Sequence, residues 1–180
     1  MNAVANIINV TTYRVIYGDT DQMGVVYYAN YLRWFEKGRS EFLRQIGLPY
    51  STIEQQGFHF PVTEVNCRYA NSARYDDDVQ IATELTELGR ASLLFVYRIS
   101  RESNKRSHFA AGVLTPALTK GDVQPPLETP FNGSTLKSAW SIRNNDLLAT
   151  GSTKHACIDQ AGKVARIPAI LLDALKAAAR

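Results

Sequence analysis

Two carboxylates, Asp19 and Asp21, stand in the run Gly18-Asp19-Thr20-Asp21-Gln22-Met23-Gly24, which has turn-forming residues at both ends. Directly after it, residues 27–46 carry Tyr28, Tyr31, Leu32, Phe35, Phe42, Leu43 and Ile46 at helical spacing along one stripe. A carboxylate just before a helix start lies beside unpaired backbone N–H groups and a partial positive charge. Such N–H groups can hold a developing oxyanion, the main demand of acyl transfer. A carboxylate beside them can attack a carbonyl or activate a water. Aspartates before helices also act simply as caps, and the residues alone leave both readings open.

Other chemistries find less support. His59, His108 and His155 are scattered, and no G-x-S-x-G run occurs. Cys67 and Cys157 have no partner at metal-ligand spacing, so both read as reduced and structural, and neither a metal nor a cofactor is expected. Glu36 and Glu41 are placed to pair with Arg33, Lys37 or Arg44 along the helix. The net charge is only +3, and Lys and Arg are spread along the chain, unlike the basic block of a nucleic-acid binder. A mild positive excess does suit a substrate bearing phosphates. No run approaches the ~18 apolar residues of a membrane span, and a cytoplasmic location is expected.

The elements that must position the two aspartates follow from patterning. With 180 residues, 45% hydrophobic and 21% charged, the chain reads as one ordinary globular domain. Residues 12–17 (TYRVIY) predict a short strand before the aspartate loop. Gly38 lies close to the helix stripe, which suggests close approach to a packed surface, and Gly47 and Pro49 supply the stop. Residues 51–57 read as a connection. Period-two alternation then marks strands at 62–70, 79–86 and 93–99, with Thr63, Val65, Cys67 and Tyr69 on one face of the first. Their short links predict antiparallel neighbours, and one helix against a curled antiparallel sheet is an α+β layout. Residues 103–145 are rich in proline and glycine. The pattern strand, turn, Ala-x-Gly, strand, turn, proline occurs twice, at 95–130 and at 137–168. Chance likeness and a duplicated terminal hairpin both remain open. An alanine- and leucine-rich helix closes the chain at 169–179.

The segment from Tyr17 to Glu41 contains D-x-D-x-x-G-x-V-x-x-x-x-Y followed by an aromatic-rich helix, and Ala73-Arg74-Tyr75-Asp76-Asp77 follows later. This resembles the 4-hydroxybenzoyl-CoA thioesterase and YbgC-type hotdog family over residues 12–101 and again over 148–167. The resemblance implies a hotdog fold, a long central helix wrapped by an antiparallel sheet. It implies an acyl-CoA thioesterase, a hydrolase giving a carboxylic acid and CoA, with Asp21 as nucleophile or general base. Tyr28 matches the position whose backbone N–H polarises the thioester carbonyl; several relatives carry His there. Asp19 then organises the loop and Gly24 supplies its tight turn. Arg90, in Leu88-Gly89-Arg90-Ala91-Ser92, falls where relatives contact CoA phosphates, and Ser92 joins it as a substrate-binding candidate. A homodimer or homotetramer completing each acyl pocket is implied, with acyl carrier protein as a further partner. Of the two Ala-x-Gly copies, the second is expected to take the closing place in the sheet, with 109–119 as an edge addition or flap. The alternative function is a hotdog module that binds acyl-CoA or acyl carrier protein without turnover. A hotdog dehydratase is disfavoured because the helix lacks a histidine.

Overall fold

The computed structural model describes residues 7–102 and 146–179. Five strands, β1 (Ile8–Arg14), β3 (Val62–Tyr69), β4 (Asp78–Leu88), β5 (Ser92–Arg101) and β6 (Leu147–Ala156), form one antiparallel sheet in the order β1-β4-β5-β6-β3. It wraps a sixteen-residue helix, α1 (Asn30–Gln45). A short helix α2 (Tyr50–Gln55), a two-stranded ribbon of β2 (Phe58–His59) with β7 (Ile158–Asp159), and α3 (Ala169–Ala178) complete it. The α+β hotdog layout is therefore present.

Register explains the packing. Ile81 opposes Ile99, Ile99 opposes Ala149, and Tyr97 opposes Gly151, so one continuous inner face forms. On it Phe35 stacks flat against Tyr97, with ring centroids 4.3 Å apart, and Phe42 meets Phe95 edge-on at 5.5 Å. The close approach foreseen at Gly38 is real: a Cβ there would collide with Thr83 Oγ1 and press on Ile81 Cγ2. Gly151 makes the matching concession from the sheet, since a Cβ would run into the Phe35 ring. Helix and sheet thus meet where two side chains are missing.

Several expectations are corrected. The first strand spans Ile8–Arg14 rather than 12–17, because pairing with β4 ends where Arg14 opposes Asp78. The chain then enters a 3₁₀ turn at Tyr17–Asp19. The helix begins at Asn30, and its buried stripe includes Trp34 while Tyr28 and Leu32 are exposed. Residues 50–55 form α2 around the fully buried Ile53, a helix too short to show a period. The alternation of β3 marks no buried face. It is an edge strand, and only Cys67 is half-buried. β6, the strand of the second Ala-x-Gly copy, lies between β5 and β3. The first copy at 109–119, and the strand expected at 138–143, fall outside the described residues.

Candidate active site

The loop before α1 is built around Asp19. Its carboxylate Oδ2 accepts the Tyr13 hydroxyl at 2.7 Å and the Ile16 N–H at 3.1 Å. Its main-chain carbonyl accepts the Tyr27 N–H at 2.9 Å and the Asn30 Nδ2 at 2.8 Å. Asp19 is only 5% exposed. Burial first, then the hydrogen bond to Asp19, pushes the Tyr13 phenol up to about 12, so it remains a donor near neutrality. Asp19 is the organiser that the sequence suggested, and Tyr13 and Asn30 are the partners it did not. Neither belongs to a motif that would have exposed it.

Asp21 is disposed differently. Its N–H donates to Val25 O and its carbonyl accepts Gly24 N–H, both at 2.9 Å, while Oδ1 accepts the Met23 N–H at 2.8 Å. Gly24 turns this corner with φ +72°, a backbone conformation that favours glycine. The half-exposed Asp21 keeps Oδ2 without a donor among the described residues. Its charge is felt at the Tyr27 phenol, which is raised chiefly by its hydrogen bond with Tyr28, then by Tyr28's charge, by burial and by Asp21.

Tyr28 lies in the turn that leads into α1, where Asn30 N–H bonds Tyr27 O at 2.9 Å. The backbone N–H groups of Tyr28 and Ala29 have no acceptor among the described residues, so they point ahead of the helix as free donors. The Tyr28 side chain is 60% exposed and its carbonyl accepts the Tyr69 hydroxyl at 3.1 Å. From behind, the fully buried Ala73 fixes this corner: its N–H donates to Tyr31 Oη and its carbonyl accepts Val26 N–H. Arg101 clamps the same 73–77 loop through Asp77 Oδ2 at 3.0 Å and Ser72 O at 2.9 Å.

Arg90 and Ser92 are not brought to this place within one chain. They sit in the β4–β5 turn, whereas the Asp21 loop lies at the other end of β4, tied there by Val15 to Asp77. β4 has eleven residues, and at about 3.3 Å per residue the two ends are on the order of 30 Å apart. Ser92 Oγ lies over Gly89, inside its own turn. The remaining candidates stay structural. His155 is buried and bonded to Thr153 Oγ1 and Phe60 O, and His59 is half-buried beside Glu54. Burial raises both thiols, Cys67 and Cys157, away from the reactive thiolate. Glu41 pairs with Arg44 as the helix spacing allowed, but Arg33 and Lys37 have no carboxylate within 4.0 Å among the described residues. Among those residues no group of His, Cys, Asp and Glu could hold a metal, and no helix is long and apolar enough to cross a membrane.

A partly free carboxylate and two unpaired N–H groups therefore occupy one corner. The first can supply attack or base catalysis and the second can stabilise an oxyanion. The chain is similar to known proteins. The family model described as the thioesterase-like superfamily matches residues 15–175. The acyl-CoA thioesterase YbgC of Haemophilus influenzae is 40% identical over 91 residues, covering 50% of this chain and 67% of its own. The 4-hydroxybenzoyl-CoA thioesterase of Pseudomonas sp. is 31% identical over 91 residues, covering 49% and 64%. Among solved structures, the hypothetical protein TT1821 of Thermus thermophilus superposes with TM-score 0.67 and 32% identity over 95% of this chain and 97% of its own.

Proposed function

The chain belongs to the thioesterase-like superfamily, and from that premise we propose that it hydrolyses an acyl-CoA thioester to a carboxylic acid and CoA, with Asp21 as the catalytic carboxylate. Thioester hydrolysis is the activity for which its relatives are named. The observation that carries the residue assignment is the contrast in one loop: Asp19 is consumed by structural hydrogen bonds, while Asp21 keeps an oxygen free. The thioester carbonyl would rest on the N–H groups of Tyr28 and Ala29, and Gly24 holds the loop that presents Asp21. Asp21 acts as nucleophile, through an acyl-aspartyl anhydride that water opens, or as general base on water. No metal or cofactor enters either route. Release of free thiol from a panel of short, long and aromatic acyl-CoAs tests the reading. Loss of that release in Asp21→Asn supports it, and retention at the wild-type rate overturns it.

The reading extends to assembly. Among the described residues the β3 edge pairs with no further strand, and Val62, Val65 and Tyr69 on it are each about half-exposed, with the Tyr69 hydroxyl on Tyr28 O. A second copy covering this edge would complete the acyl pocket as a homodimer or homotetramer. It is also the means by which an Arg90 could approach an Asp21, the two being far apart in one protomer. The chain is one domain in this reading, with 103–145 as an insertion: Ser100 opposes Leu147, so β5 and β6 are already neighbours where that segment leaves and returns. The alternative, a module that binds acyl-CoA or acyl carrier protein without turnover, has no use for the free Asp21 oxygen.

A further inference from the structure

The two flanks of α1 differ. Tyr28 and Tyr31 meet Tyr69 of β3 on the side where the acyl group is proposed to enter. On the β1 flank a cavity of about 190 Å³ is lined by Tyr13, Asp19, Asn30, Arg33, Trp34 and Lys37. Nothing in the thioesterase reading uses it. Arg33 and Lys37 are one helical turn apart, where two like charges destabilise a helix unless something lies between them. Arg14, Arg44 and Arg101 each have a carboxylate partner, in Asp78, Glu41 and Asp77. Arg33 and Lys37 are not so paired among the described residues. The one carboxylate in the cavity wall, Asp19, is buried and takes its two hydrogen bonds from neutral donors, so its single charge offsets one of the two cations and leaves the wall with a net positive charge.

We propose that this cavity is a second anion site, separate from the Asp21 loop, that takes a phosphate or small phosphomonoester between Arg33 and Lys37. Size narrows the class. The space lies below the ~300 Å³ at which pockets for drug-sized ligands begin, and a phosphoryl group with a few attached atoms fills it. The tilted Tyr13 and Trp34 rings, 5.7 Å apart, form an apolar wall beside the two cations. Asn30, which bonds the Asp19 carbonyl, links this wall to the loop that holds Asp21.

The test reads binding, so it is independent of whether the chain hydrolyses thioesters. Inorganic phosphate is titrated calorimetrically into the full chain at constant ionic strength, against chloride as the control anion. Saturable binding is expected in the wild type, with affinity lowered roughly tenfold or more in R33Q/K37Q, the loss appropriate to charge-assisted hydrogen bonds. The charge-preserving R33K/K37R should retain it. If the double variant does not fold, Lys37→Gln alone serves, with a smaller loss in the same direction. Two arms separate the sources of the phosphoryl group. Displacement of phosphate by CoA but not by 3′-dephospho-CoA identifies the substrate's own 3′-phosphate, and displacement by neither identifies a free small anion. Absence of saturable phosphate binding, or equal binding in R33Q/K37Q, overturns the proposal.

Discussion

The two ends of the sheet are finished in opposite ways. At the Arg90 end the backbone closes on itself: Gly89 N–H bonds Ser92 O, Cys157 N–H bonds Ala91 O and Ile167 N–H bonds Arg90 O, each at 2.9 Å. The N–H groups of Arg90 and Ala91 are left without an acceptor among the described residues, but the turn Leu88–Ser92 carries no carboxylate to stand beside them. At the Asp21 end the supporting groups are satisfied just as fully, through Asp19, Ala73 and Asp77, yet two N–H groups and one carboxylate oxygen are spared. Free polar groups on an otherwise satisfied frame are what a reaction site requires, since rigid neighbours hold them for a ligand. The difference separates a terminus from a site.

The sharpest way to break that comparison is Asp21→Asn. It should lower kcat at least roughly 10²-fold while changing stability by no more than about 0.5 kcal/mol, because the oxygen it alters bonds nothing essential. Steady-state kinetics beside a denaturant titration would show both halves, and a large stability loss would place Asp21 among the structural groups. Asp19→Ala should behave in the opposite sense. It removes the shared acceptor of the partly buried Tyr13 hydroxyl and of the Ile16 N–H, at about 1 kcal/mol in unfolding free energy for each hydrogen bond lost, with a smaller effect on turnover.

At the other end, His155 offers a pH test. It is 1% exposed, and burial first of all lowers its pKa. Below about pH 6.5 the unfolded chain takes up a proton that the folded chain resists, so stability should fall as pH drops through that point. The slope from this residue is at most about 1.4 kcal/mol per pH unit. Chemical denaturation between pH 8 and 5 measures it, and the same slope in His155→Gln would remove His155 as its source. The smallest effect is expected from Arg90→Ala: a raised KM for acyl-CoA, with no change for a small thioester lacking the nucleotide. Equal effects on both substrates would leave Arg90 outside the site.

Much of the site was legible in the chain because it is local. Asp19, Asp21, Gly24 and Tyr28 fall within ten residues of sequence, and the turn chemistry of such a run is settled by near neighbours. Gly38 was legible for a related reason, since a glycine beside an apolar helical stripe signals a close surface. What could not be read is whatever depends on a distant partner. The end of β1 follows from where β4 begins, and the exposure of β3 follows from its place at the sheet edge. Alternation along a strand records a two-sided environment only when something covers one side.

By itself, then, the sequence marked the paired carboxylates at the head of α1, the helix as the centre of the fold, and an antiparallel sheet around it. Each of these rests on residue types and spacings over fewer than about twenty positions. Only the tertiary structure decided that Asp19 is the consumed carboxylate and Asp21 the free one, because Tyr13, Ile16 and Asn30 had first to be folded around Asp19. It alone parted Arg90 from Asp21 and gathered Arg33 and Lys37 with Tyr13 around a cavity. Those outcomes come from hydrogen bonds and packing between segments far apart in the chain, and no local pattern carries them.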